Sequence, residues 1–214
     1  MKYIIMCGGY YGYFEQPKSL TVVNGEPLVD RTIRLLIENG VAREDIKITS
    51  NDERLEGHGA EVLHHNNPFK WYKKDGKEIT EGYWLDAFMR FDEPVCYLWG
   101  DVYYTNYGIK TIVEYKSLVN TFFGTIDKNL KPWEEPLAYK VYDNETFFKG
   151  IEKVKKLFNE GKCRRHPIVW ELYRVLNGIN VNTHRLARGY VNVPGGGMDV
   201  DSPEQATKIG EYYA

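Results

Sequence analysis

The chain of 214 residues predicts a single α/β domain, a three-layer α/β/α arrangement around a mostly parallel sheet. Short apolar runs alternate with helical patterns along its length, the trace that parallel strands and their covering helices leave in a sequence. A hydrophobic fraction of 43% supplies the core of one sizeable domain. Two of the apolar runs lead into glycine, at Gly8 and Gly100, which lets the backbone turn sharply where it leaves the strand.

In chain order, the apolar run Tyr3–Met6 predicts the first strand, and the glycines after it predict a loop. Pro27–Glu38 reads as a helix with Pro27 in its first turn, where a missing N–H is tolerated. Asp45–Thr49 and Ala60–Leu63 read as strands, and the polar, lysine-rich stretch Phe69–Glu81 as an exposed loop or a β-hairpin turning at Asp75-Gly76. A helix is expected at Thr80–Phe91, with Trp84 and Phe88 in its core face, followed by a strand at Val95–Trp99 and a helix at Tyr107–Tyr115. A strand at Val119–Ile126 and the strand-like LAYKVYD precede helices at Glu145–Asn159 and His166–Leu176. The chain closes with a strand at Gly189–Val193 and a helix at Pro203–Tyr212, which Ser202 can cap. There is no internal repeat and no low-complexity tract.

A formal charge of -2 argues against a nucleic-acid protein driven by a basic surface. Cys7, Cys96 and Cys163 lie far apart without CxxC or zinc spacing, so they form neither a disulfide framework nor a metal site, and a reducing cytoplasm is the expected location. Ile4–Met6 is too short for a signal-peptide core, and no apolar run approaches membrane-spanning length.

Three motifs carry chemistry. In CGGYYGYFEQPKSL, Gly8, Gly9 and Gly12 can adopt positive φ and let backbone N–H groups approach an anion, while Pro17 stiffens the turn ahead of the Lys18 ammonium. That is a phosphate-handling layout, although the same residues suit an ordinary flexible loop, and the run is neither a Walker loop nor a GxGxxG fingerprint. In LWGDVYY the strand ends at Gly100 and delivers Asp101 to the carboxyl edge of the sheet, where open α/β sheets bind ligands. Asp101 is there either a hard ligand for magnesium or the N-cap of the next helix. In GGGMDVDSPEQATKIGEYY, Asp201 or Ser202 suits an N-cap with Pro203 at the first helical position.

The run GGYYGYFEQPKSLTVVNGEPLVDRTIRLL resembles the N-terminal signature of the nucleotidyltransferases that couple NTPs to sugar phosphates and related acceptors. Lys18, Gly25, Pro27 and Leu28 match its order: a Pro-Lys pair, then a short hairpin ending in Gly-x-Pro-(Leu/Met) that starts a helix. The arginine that many members carry in the loop is absent, and Tyr10, Tyr11, Tyr13 and Phe14 stand there instead. Asp201-Ser202-Pro203-Glu204 is similar to the closing turn of cytidylyltransferases and molybdenum-cofactor nucleotidyltransferases.

The resemblance implies a Rossmann-like sheet of the nucleotide-diphospho-sugar transferase type, with a nucleotide-binding part of about residues 1–118 plus 189–214 and an acceptor-binding part of about 119–188. It implies a Mg2+ cofactor held by Asp101 and Asp201, with Asp199 in reserve, and Lys18 working beside them. It places the nucleotide at Cys7, Gly8, Gly9, Lys18, Ser50, Asn51 and Gly82; Ser50 and Asn51 suit a loop cap equally well. Lys140, Arg164 and Arg165 are candidate contacts to the acceptor, or else solvated surface charges. The adjacent pair His64-His65 reads as structural, because neighbours in a strand point to opposite faces.

The reaction implied is transfer of an NMP, CMP favoured, from an NTP to a small phosphorylated, phosphonate or sugar-type acceptor, with release of pyrophosphate. Such an acceptor is its own nucleophile, its second pKa being about 6, so no general base is required. Two other classes compete: a nucleotide-sugar glycosyltransferase, for which Asp199-Val200-Asp201 has the Asp-x-Asp form, and a non-catalytic nucleotide-binding module. A membrane partner is not expected, and a homodimer is left open.

Overall fold

The computed structural model describes residues 1–8, 14–65, 67, 69–74, 77–125 and 134–213. Gly9, Gly12, Tyr10, Tyr11, Tyr13, the Asp75-Gly76 turn and Ile126, all singled out above, lie outside the described residues. The chain runs through β1 (Lys2–Met6), β2 (Val22–Val23), β3 (Glu26–Pro27), α1 (Leu28–Glu38), β4 (Ile46–Ser50), β5 (Glu61–His64), β6 (Lys70–Lys74) and β7 (Lys77–Glu81). It continues through β8 (Val95–Trp99), β9 (Val102–Tyr104), α2 (Asn106–Glu114), β10 (Thr121–Thr125), β11 (Glu135–Val141), α3 (Asn144–Asn159), α4 (Val169–Leu176), β12 (Tyr190–Asn192), β13 (Gly197–Asp199) and α5 (Pro203–Tyr212).

Seven strands form one sheet in the order β12-β10-β11-β8-β1-β4-β5. The pairs β8-β1, β1-β4, β4-β5 and β12-β10 are parallel, and β11 alone runs antiparallel to both its neighbours. The strand-like LAYKVYD is therefore an interior strand. Ile4, Ile5, Ile46, Ile48, Leu98 and Val95 are fully buried, as strands covered on both faces require. The α/β/α arrangement expected from the alternating pattern is the observed one.

Helix α1 shows how the local sequence sets the geometry. β2 and β3 are joined by Asn24 (φ 52) and Gly25 (φ 80), the two positive φ values of a tight hairpin turn for which Asn-Gly is suited. Pro27 pairs with Val22 at the end of β3 and sits at φ -59, ψ 144 in the N-cap position, so the helix starts at Leu28 rather than at Pro27. Leu28, Val29, Thr32, Ile33, Leu35 and Leu36 then bury one face.

Two expected helices differ. Thr80–Phe91 is not a helix: Thr80 and Glu81 finish β7, Gly82 turns the chain at φ 70, and only Trp84–Ala87 winds, as a 3-10 turn. The apolar spacing of Leu85 and Phe88, both buried, is that of a single turn docked on Tyr97, Trp99 and Phe147. The second starts at Val169 rather than His166, because Pro167 disfavours helical backbone in the residue before it and has no N–H to donate. Within the stretch Phe69–Glu81, β6 pairs antiparallel with β7, from Lys70 opposite Glu81 to Lys74 opposite Lys77.

Candidate active site

Lys18, Asp101 and Asp201, far apart in sequence, meet at the carboxyl edge of the sheet. The Lys18 ammonium donates to Asp101 Oδ2 at 2.5 Å and to Asp201 Oδ1 at 3.0 Å. Lys18 is held by Pro17, whose φ of -50 starts a 3-10 turn over Lys18–Leu20 closed by Leu20 N–H to Pro17 O at 2.9 Å and Thr21 N–H to Lys18 O at 3.0 Å.

Gly100 positions Asp101. Its N–H donates to Met6 O at 3.0 Å, and a Cβ at this residue would lie 2.7 Å from both Met6 O and Cys7 Sγ. Only glycine lets the end of β8 close on the end of β1, which sets Asp101 beside the Cys7-Gly8 loop. Gly100→Ala is expected to lower stability by about 1–3 kcal/mol, the cost of overpacking, as read by urea denaturation. β8 also parts from β11 here. Beyond Leu98 the two strands are bridged by the buried Tyr104 hydroxyl, which accepts from Trp99 N–H at 3.0 Å and donates to Leu137 O at 2.5 Å.

Asp201 arrives by a second small sheet. β13 pairs antiparallel with β9, Asp199 opposite Val102, and Val200 N–H continues the pairing by donating to Asp101 O at 2.8 Å. Met198, Val200, Tyr103, Ala206 and Ile209 bury around this junction together with Val23 and Leu28. The strands are three residues each, and paired residues are 93 or more positions apart, as Gly197 and Tyr104 are, so neither announces itself by pattern.

The capping alternatives resolve in the geometry. Thr105, not Asp101, caps α2, its Oγ1 accepting from Gly108 N–H at 3.0 Å. Ser202, as expected, caps α5 by accepting from Gln205 N–H at 3.2 Å, and the Gln205 side chain accepts from Asp201 N–H at 2.8 Å. Both carboxylates meet one cation, the Lys18 ammonium. Asp199 lies in β13, two residues before the Asp201 that pairs with Lys18.

Burial is the largest influence on Lys18 and pulls its pKa down, but the charges of Asp101 and Asp201 and their hydrogen bonds together outweigh it and hold the ammonium above its ordinary value. The donor set also suits magnesium. Two carboxylate groups converge on one cationic point with side-chain exposures of 28% and 46%, and magnesium takes one or two carboxylates with phosphate oxygens and water filling the rest. Among the described residues no cluster of three or more His, Cys, Asp or Glu side chains forms a fuller cage.

Lys18 and Asp101 line a cavity of about 670 Å³ into which Gly8, Ser19, Ser50, Asn51, Trp84 and Trp99 also look, and Asp201 adjoins it through Lys18. Cys7 is buried, its thiol pushed up to about 12 by burial, so its part is played by the backbone: its N–H donates to Thr49 O at 2.9 Å. Ser50 is buried too, its hydroxyl donating to Cys7 O at 3.4 Å and accepting from Asp52 N–H at 3.1 Å, which ties β4 to the loop after β1. Gly82 is absent from the lining residues and serves the turn after β7. Trp84, assigned above to a helix core, and Trp99 and Phe69, which sequence reasoning did not single out as site residues, stand in the wall instead.

The three acceptor candidates do not line this cavity. Lys140 is buried in β11 and donates to Val113 O at 3.2 Å and Tyr115 O at 3.0 Å, where the C-terminal carbonyls of α2 want a cation; burial lowers its pKa. It is a structural cap rather than a solvated or phosphate-binding lysine. Lys140→Met is expected to cost about 1 kcal/mol in thermal unfolding, and to leave the acceptor KM within about twofold. Arg165 pairs with the buried Glu171 at 3.0 Å, and Arg164 is fixed through its backbone N–H to Asn182 Oδ1 at 2.8 Å. Both hold the approach to α4.

No family model and no curated protein sequence matches the chain. Solved structures match along the whole length. CTP:phosphocholine cytidylyltransferase from Streptococcus pneumoniae is 16% identical at a TM-score of 0.53, over 100% of this chain and 99% of that one. A putative glucose-1-phosphate thymidylyltransferase from Bacillus anthracis is 16% identical at a TM-score of 0.59, over 99% and 94%. The inositol-1-phosphate CTP transferase from T. maritima is 12% identical at a TM-score of 0.57, over 98% and 93%. The likeness is one of fold: the chain has the nucleotidyltransferase fold that its terminal motifs led us to expect.

Proposed function

We propose that this chain, which carries the fold of the nucleotidyltransferases, transfers an NMP from an NTP to a small phosphorylated or phosphonate acceptor and releases pyrophosphate. The observation that carries the reading is the convergence of Asp101 and Asp201 on Lys18, which lines the cavity together with Asp101. CTP is the first choice of nucleotide, from the closing Asp-Val-Asp-Ser-Pro-Glu motif, and two of the similar structures bear CTP in their names.

An ionised acceptor oxygen attacks the α-phosphorus in line with the pyrophosphate leaving group, and the protein's task is placement and charge. Gly8, which lines the cavity at the end of β1, would face the phosphates. Lys18 keeps its proton and meets the charge that builds on the transferring group, with no role as a base. Asp101 and Asp201 would hold magnesium, which when bound neutralises phosphate oxygens and orients the leaving group. Among the described residues no helix is long and apolar enough to cross a membrane.

The glycosyltransferase alternative draws on Asp199-Val200-Asp201, but Asp199 sits in a strand pair and Lys18 pairs with both Asp101 and Asp201, which favours the Lys-Asp-Asp reading. Binding is tested by thermal shift with each of the four NTPs, with and without magnesium. At one hundred times Kd a ligand adds about 2.7 kcal/mol, a rise of roughly 5–10 °C for a domain of this size. A rise of that size with CTP and magnesium supports the reading; no shift with any NTP removes it.

A further inference from the structure

We propose that Trp84 is the stacking platform for the nucleobase of the NTP, a reading that rests on the functional assignment above and names a specific contact within it. Phe69, Tyr72, Trp84 and Trp99 give the cavity an aromatic wall, and Ser50 and Asn51 give it a polar edge. Trp84 and Trp99 lie 6.5 Å apart between ring centroids, tilted by 34°, and Trp99 stands two residues before Asp101. The aromatic surface thus begins next to the proposed phosphate site and extends away from it, as a base extends from its triphosphate.

Trp84 is half-buried, and its short 3-10 turn is fixed by contacts to three separate parts of the chain. Trp84 N–H donates to His166 Nε2 at 3.3 Å, His65 Nε2 bonds Asp86 O at 2.6 Å, and the Asp86 carboxylate pairs with Lys155. A turn with one part-exposed ring and so much tethering is a rigid platform rather than a surface excursion. Phe88, three residues after Leu85, packs edge-on against Trp84 at 5.8 Å and supports the ring from behind.

The charges nearby choose between guests. Lys70 and His65 stand on this wall, and the Asp52 carboxylate is engaged by Arg54 at 2.8 and 2.9 Å. A flat, neutral, polar-edged ring fits: its face meets Trp84 and its edge meets the amide of Asn51. Stacking alone accepts any base, so Trp84 supplies affinity and leaves the choice among NTPs to the polar edge.

The test compares CTP with inorganic triphosphate, both with magnesium, on wild-type, Trp84→Phe and Trp84→Ala protein by calorimetry, alongside intrinsic tryptophan fluorescence. Trp84→Ala should weaken CTP about 5- to 150-fold, leave triphosphate unchanged, and remove the fluorescence quenching that CTP causes. Trp84→Phe, which keeps the stacked ring and fills the same support, should retain most of the CTP affinity. Equal weakening of CTP and triphosphate, or CTP affinity unchanged in Trp84→Ala, overturns the platform while leaving the functional assignment standing. Wild-type protein that binds triphosphate no worse than CTP also overturns it. Wild-type protein that binds neither overturns the functional assignment itself.

Discussion

Asp101→Asn is expected to lower turnover by at least about 10²–10³-fold while the domain stays folded. The substitution keeps shape and removes one negative charge. Asp101 is held by backbone contacts on both sides, Gly100 N–H to Met6 O and Val200 N–H to Asp101 O, and neither depends on its carboxylate. The Lys18 ammonium retains Asp201 as a partner, so the stability cost stays near 1 kcal/mol for a carboxylate already 28% exposed. What disappears is half of the carboxylate pair that can hold magnesium. Circular dichroism and urea unfolding beside steady-state turnover separate the two effects. A variant with near-normal turnover would remove Asp101 from the chemistry, and chelator should silence the wild-type enzyme in the same way.

Lys18→Met removes the cation instead, and its largest effect is expected on both stability and rate. With the ammonium gone, Asp101 and Asp201 face each other without their shared partner. Breaking a fully buried pair costs about 3–5 kcal/mol, and with both carboxylates part exposed we expect about 1–3 kcal/mol. Turnover should fall by about 10²–10³-fold, the loss of one preorganised charge at the transferring group. Magnesium should raise the melting temperature of Lys18→Met more than that of the wild type, because the ion then takes up the charge balance that the ammonium leaves. An equal magnesium shift in both proteins would contradict a shared site.

The pH profile follows from the same charges. Lys18 has a folded pKa above its ordinary 10.5, so its stabilising contribution is complete below 10.5 and is lost only as pH rises through the higher folded value. Between pH 6 and 9 Lys18 therefore contributes no limb to stability or rate. The rate should climb through the acceptor's second ionisation, near about pH 6, and then level off.

The site was legible where residue type and backbone need coincide. Gly100 and Asp101 follow an apolar strand, and a glycine that must pass within reach of a neighbouring strand is visible as Gly-Asp at a strand end. Asp201 was legible through its closing motif, but the means of its delivery was not: β9 and β13 are three-residue strands whose pairing depends on tertiary contact. Trp84 was misassigned because the spacing of Leu85 and Phe88 fits a helix as well as one docked 3-10 turn, and Gly82 at φ 70 decides against the helix only once the hairpin before it is known. Lys140 was misread for a different reason. A lysine in an apolar strand is expected to reach solvent, whereas here the exposed carbonyls of α2 receive it inside the protein.

If Lys18, Asp101 and Asp201 serve nucleotidyl transfer, the fate of the nucleotide reveals it. Purified protein is incubated with CTP, magnesium and a panel of phosphorylated and phosphonate acceptors, and pyrophosphate and the nucleotidylated product are quantified together. Nucleotidyl transfer at this site should yield pyrophosphate and product in equal amounts with at least one acceptor, both abolished in Asp101→Asn. Release of a nucleoside diphosphate from a nucleotide sugar, with no pyrophosphate formed from any NTP, would contradict it.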